Sequence, residues 1–183
     1  MQDRKQSAID SFNKFLNDQK ELGTDTGALM TLIFFNTTHL VKYDAVSIER
    51  IPALSGESYV CDGGTALYDA VGMAIDNVGK RLARTPEDLR PAKVIVTILT
   101  DGQENSSRKY DRAQIESMIR HQEEKYNWQF IYLSSSMSAM HDAESIGIKR
   151  QNTMYYDIKR GMGDAYTSMT RSYSSFRIDL DKH

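Results

Sequence analysis

Two short and nearly uninterrupted apolar runs, Ala28 to Phe35 and Val94 to Leu99, set the terms for any fold this chain can adopt. Runs rich in β-branched and aromatic residues, with no polar alternation, read as strands covered on both faces, the kind found in parallel sheets. Between them Leu67, Ala70, Val71, Ala74, Ile75, Val78 and Leu82 recur at i, i+3, i+4 and i+7, the strongest helix signal in the sequence. That helix ends before Pro86. A buried strand, an amphipathic helix and a second buried strand imply a right-handed crossover and a sheet with a helix packed on its face.

The alternation extends in both directions. Ala8, Ile9, Phe12, Phe15 and Leu16 mark a first helix that fades before Gly23. After a turn at Asn36 to Thr38, His39 to Val46 reads as a partner strand with the less apolar pattern of a sheet edge. Ser47 to Cys61, with Pro52 and Gly56, is a connection with room for one short helical turn. The second buried strand occupies Lys93 to Thr100. Asp111 and Gln114 form a capping-box pattern that opens a helix through Ile115, Met118, Ile119 and Gln122. Gln129 to Leu133 is the next strand, and Ser134 to Ser136 lead into a helix with Met140 and Ala143, closed by Gly147. Thr153 to Tyr156 makes a short strand, and a last helix follows Gly161 and Gly163 through Ala165, Met169, Tyr173 and Phe176. The expected class is α/β, a doubly wound, Rossmann-like, mainly parallel sheet with helices on both faces, as one domain over residues 1–183.

Composition removes several functions. A net charge of -2 without clustered basic residues argues against nucleic acid as a partner. The apolar runs fall far short of the ~20 residues that span a bilayer. The polar start Gln2, Asp3, Arg4, Lys5 and Gln6 lacks the apolar core of a secretory signal, so a cytoplasmic location is expected. The single cysteine, Cys61, forms no internal disulfide and fits a reducing compartment. The histidines His39, His121, His141 and His183 lack zinc-site spacing.

In doubly wound sheets ligands collect outside the carboxyl ends of the strands. Asp101 stands at such an end, and Thr65 opens the helix that should face it. A carboxylate and a hydroxyl are oxygen donors of the type a hard divalent cation takes, with waters completing the shell. Two protein donors alone imply weak affinity for Mg2+ or Mn2+. Both residues also have a purely structural reading, Thr65 as a helix cap and Asp101-Gly102 as a turn. Gly63 and Gly64 permit a tight loop, and Asp62 and Glu104 are further acids close by in sequence.

Gly63-Gly64-Thr65-Ala66-Leu67-Tyr68-Asp69-Ala70 and Leu99-Thr100-Asp101-Gly102-Gln103-Glu104-Asn105 resemble the second and third loops of von Willebrand factor A domains, in particular the bacterial and phage members. The likeness extends to Phe12-Asn13-Lys14-Phe15-Leu16 and to Glu123-Glu124-Lys125-Tyr126-Asn127-Trp128. It implies that Thr65 and Asp101 are two ligands of a metal-ion-dependent adhesion site. In that site Mg2+ or Mn2+ keeps an open position for the acidic side chain of a protein partner. The family's remaining contributor, an Asp-x-Ser-x-Ser loop, does not occur. Met1 resembles the methionine that closes that motif, so on this reading the first, central strand is missing between Ala28 to Phe35 and Lys93 to Thr100. Leaving roughly ten backbone groups of such a slot buried and unpaired, at about 1 to 3 kcal/mol each, would consume the stability of a domain. The expectation is therefore a longer natural chain, closure of the two strands on each other, or a filler, for which Phe176 to Leu180 has strand-like alternation. The expected function is a non-enzymatic, protein-binding module. A metal-free scaffold is the first alternative. A metal-dependent hydrolase using Asp101 is the second, weakened by the lack of a second catalytic acid, a Gly-x-Ser-x-Gly elbow or a Gly-rich phosphate loop.

Overall fold

The computed structural model describes residues 2–21, 27–58 and 63–155. The elements are α1 (Gln2–Glu21), β1 (Leu29–Phe35), β2 (His39–Ser47), α2 (Leu67–Arg84), β3 (Ile95–Leu99), α3 (Arg112–Tyr126), β4 (Gln129–Ser134), α4 (Met137–Ser145) and β5 (Thr153–Tyr155), with short 3-10 turns at Ile48–Arg50, Glu87–Leu89 and Arg150–Asn152. The chain is of mixed α/β class, as its alternation indicates. The last helix, the Phe176 to Leu180 segment, Cys61 and Asp62 lie outside the described residues. No described helix is long and apolar enough to cross a membrane.

A doubly wound sheet with its first central strand missing was expected; the described strands form two sheets, β1-β2 and β3-β4-β5. Only three residues link β1 to β2, which restricts them to an antiparallel hairpin. In the other sheet β3 pairs parallel with β4, from Ile95 opposite Gln129 to Leu99 opposite Leu133, and β4 pairs parallel with β5.

The expectation of two fully covered strands at β1 and β3 is also corrected. Residues of β1 after the exposed Leu29 are only half-buried, and in β3 Ile98 alone is buried. Full burial belongs instead to β4, where Phe130, Ile131, Tyr132, Leu133 and Ser134 are all at most 3% exposed. The cause is position, since β4 has a hydrogen-bonded neighbour on each side and packs against α3 and α4.

By contacts the chain divides into two compact units, one with its described residues in Met1–Phe34 and Leu40–Asp62, the other in Phe35–His39 and Gly63–Tyr155. In the first, Leu16 of α1 is buried with Ile48 and Ile51, and Phe12, Met30, Tyr43 and Val46 pack against them. The irregular connection after β2 satisfies its backbone through α1 side chains. The Asn13 amide donates to the Leu54 carbonyl (3.0 Å) and accepts from the Leu54 N–H (2.7 Å), while Lys20 Nζ donates to the Ile51 carbonyl (2.7 Å).

The second unit centres on Leu67, Val71 and Ile75 of α2, Ile98 of β3, Ile115 and Ile119 of α3, and Trp128, Phe130 and Tyr132 around β4. Helix α3 carries the capping box read from the sequence, with Gln114 N–H donating to Asp111 and the Gln114 side chain accepting from the Asp111 N–H. It ends at Asn127, whose left-handed backbone (φ 53) turns the chain into β4. Helix α2 presents Gly72 to the Tyr110 ring, which a methyl group there would meet at 2.7 Å, and the Tyr110 hydroxyl donates to Asp76 (3.1 Å).

Ala45 in β2 is held at φ 51, a left-handed conformation that an alanine side chain disfavours by roughly 1 to 2 kcal/mol. Its N–H donates to Thr31 Oγ1 (3.1 Å), which itself donates to Asp44 (3.2 Å). Ala45→Gly removes the steric penalty and adds some unfolded-chain entropy, so a net gain of roughly 0.5 to 1 kcal/mol is expected in urea unfolding. A loss of stability would show that the Ala45 methyl contributes more by packing than it costs in backbone strain.

Candidate functional site

Three loops of the second unit meet near the carboxyl ends of β3 and β4: the turn at Asn36 to Thr38, the segment Gly63 to Ala66 before α2, and Thr100 to Ser107 after β3. The Thr65 N–H donates to Asn105 Oδ1 (2.9 Å), and the Asn105 N–H donates to the Thr65 carbonyl (3.0 Å). Ala66 N–H donates to the Asn36 carbonyl (2.7 Å). Side chains at the glycines would break this junction. A Cβ at Gly64 would run into the Ser106 hydroxyl, and one at Gly102 would run into the Thr65 hydroxyl.

The reading of Thr65 as the cap of α2 is corrected by the helix boundary. The cap position is Ala66, one residue later, and it has no side chain with which to cap. The cap comes from the other loop. Glu104 Oε2 accepts from the Tyr68 N–H (3.0 Å) and from Ser107 Oγ (2.7 Å), while Oε1 accepts from the N–H groups of Ser106 (2.9 Å) and Ser107 (2.8 Å). Thr65 is thereby released from capping, and its hydroxyl lies against Gly102, next to Asp101. Glu104, noted in the sequence as a nearby acid, is committed to holding the loop.

Asp101 follows the last strand residue of β3 by two positions. Its Oδ1 accepts from both the Ser135 N–H (2.9 Å) and the Ser135 hydroxyl (2.7 Å), beyond the end of β4. Thr100 makes the local turn, its hydroxyl accepting from the Gly102 N–H (3.3 Å). The two residues singled out from the sequence are therefore brought to the same junction. A hydroxyl and a carboxylate on adjoining loops fit part of the oxygen shell of a hard cation, with water for the rest. Among the described residues no group of three or more His, Cys, Asp or Glu is arranged to hold a metal.

Surrounding polar groups are strongly organised. Asp69 accepts from three successive backbone N–H groups, Arg108 (3.0 Å), Lys109 (2.9 Å) and Tyr110 (2.9 Å). Burial by itself pushes the Asp69 carboxyl up, but the three backbone donors and the nearby His39 outweigh it and hold it below the usual aspartate range. Asp142, which accepts from the Glu104 N–H (2.9 Å), is pushed the other way, chiefly by burial and further by the Glu104 charge. Burial likewise raises Tyr68 and Tyr132. Sequence reasoning missed Ser135, Asn105 and Asp69. Their partners lie more than thirty residues away in the chain, so no local pattern marks them.

No protein-family model, curated protein or solved structure matches this chain.

Two outcomes follow from this geometry. Gly102→Ala forces the Thr65 and Asp101 loops apart and is expected to cost about 1 to 3 kcal/mol in thermal unfolding, as overpacking does. An unchanged melting temperature would mean that the two loops part without cost. Because the folded-state pKa of Asp69 is depressed, its contribution is complete above the usual value of 3.8 and is lost as pH falls through the lower, folded value. Asp69→Asn is therefore expected to unfold more easily at neutral pH and to lose less stability than the parent between neutral pH and acid. Parallel stability curves for the two proteins would contradict this role.

Proposed function

We propose that the chain is a von Willebrand factor A-like module for protein recognition, non-enzymatic, with a partial metal-ion-dependent adhesion site formed by Thr65 and Asp101. In this reading Mg2+ or Mn2+ is held weakly by the Thr65 hydroxyl and the Asp101 carboxylate, and the cation in turn takes an acidic side chain of a protein partner. The observation that carries the reading is the placement of the Thr65 hydroxyl against Gly102, beside Asp101, with a different residue, Glu104, capping the helix that Thr65 precedes. A threonine that only capped α2 would have its hydroxyl at the helix amides. The lining of the junction by hydroxyl and amide groups, Thr37, Asn105 and Ser106, also suits a hydrated cation.

A metal-free scaffold is favoured by a separate observation. The loop is already closed by its own hydrogen bonds, with Glu104 saturated by donors and Asp101 bound to Ser135. The two readings separate in a Mn2+ titration followed by water-proton relaxation, with Thr65→Ala and Asp101→Ala in parallel. The recognition module takes up Mn2+ in the parent chain, loses about ten-fold or more in affinity in each variant, and retains a fluorescent acidic peptide only while the metal is present. No uptake by the parent chain would leave the scaffold as the standing reading.

A further inference from the structure

We propose that Tyr132 and Asp142 hold one buried water between them, with the Tyr68 hydroxyl as its third partner. The water ties the Asp142 carboxylate, and through it the loop after β3, to the central strand β4. It needs no bound cation.

Tyr132 shares its face of β4 with Phe130, and the two pack with Leu67 of α2 and with Ala143 and Ile146 of α4. The residue is 0% exposed, and among the described residues its hydroxyl has no hydrogen-bond partner. A buried hydroxyl left unpaired loses its hydration with nothing in exchange, so folded interiors satisfy nearly all such groups with protein or ordered water. The surroundings of this one are polar at the phenol end. Burial raises Tyr132 most, and Asp142, Tyr68 and Asp101 raise it further, in that order. The hydroxyl therefore keeps its proton and stands as a donor near a carboxylate to which it is not bonded, the situation in which water bridges.

Donors and acceptors balance around one water. A carboxylate offers about four acceptor sites, and at Asp142 the Glu104 N–H (2.9 Å) takes one. Ser145 donates its hydroxyl proton to the Asp142 carbonyl (2.8 Å), so its hydrogen bond with the Tyr68 side chain runs from the Tyr68 hydroxyl to Ser145 Oγ. The Tyr68 oxygen is then an acceptor. A water that accepts from Tyr132 and donates to Asp142 and Tyr68 makes three bonds, the usual number for a buried one. Asp142 in turn holds the Glu104 amide, and Glu104 accepts the Tyr68 N–H at the start of α2. Tyr132 is thus a positioning residue for the loop, acting through the water and Asp142.

The first test is a crystal structure of the 183-residue chain at a resolution that orders internal water. The expected result is a density peak within hydrogen-bond distance of both Tyr132 Oη and an Asp142 carboxylate oxygen. A direct Tyr132–Asp142 bond, or no peak between them, would overturn the bridge. The second test is Tyr132→Phe, which keeps the ring and removes only the hydroxyl. It is expected to lower the melting temperature by about 2 to 4 °C and to speed amide exchange at Glu104 about ten-fold relative to the β4 amide of Ile131. An unpartnered phenol predicts the opposite sign, because Phe then removes a buried polar group that only destabilises. A melting temperature unchanged or raised in Tyr132→Phe would therefore overturn the tie even with the water present. Equal exchange at Glu104 in the two proteins would do the same.

Discussion

Helix α2 has no cap of its own, and the carboxylate of Glu104 supplies one from a loop more than thirty residues further along the chain. Much of the surrounding arrangement depends on that single side chain. Its second oxygen gathers the Ser106 and Ser107 amides, which folds the segment after β3 back toward the helix start. The same fold brings Asn105 to the Thr65 backbone and delivers Arg108, Lys109 and Tyr110 to Asp69 on the first turn of α2. An acidic group near a helix N-terminus gains from the helix dipole as well as from its hydrogen bonds, so the cap is electrostatic in two senses. The loop and the helix are in this way a single structural object, although they are distant in sequence.

The acids around this arrangement carry different structural duties. Glu104 and Asp69 are acids spent on backbone amides, and Asp142 is an acid whose charge is disfavoured by burial. Asp101 too accepts a backbone N–H, that of Ser135, and its loop lies against the Thr65 hydroxyl, which has no capping duty.

Elements whose causes are local were legible in the sequence. The Asp111 and Gln114 capping box, the apolar face of α2 and the glycine that closes α4 each act within a turn or two, and each appears where the pattern puts it. Burial of the strands was not legible, because it depends on neighbours. The apolar run of β1 is half-buried, while β4, which contains Tyr132 and ends in Ser134, is fully enclosed between two partners. Of the candidate site, only positions with local signals could be marked in the sequence. Thr65 and Asp101 were marked by residue type at a helix start and a strand end, and the alternative of Thr65 as a cap fails because the cap position is Ala66. Ser135 and Asn105 act across strand and loop boundaries, where sequence spacing carries no information.

The parallel pairing of β3 with β4 also has a kinetic side. Parallel neighbours cannot meet through a tight turn, so Ile95 finds Gln129 only after the whole crossover through α3 has been closed, and such closure slows folding. Here the crossover carries its own start and stop instructions in the Asp111 capping box and the left-handed Asn127. Once helical, that segment is a shorter and stiffer tether between the two strands than a disordered chain of equal length.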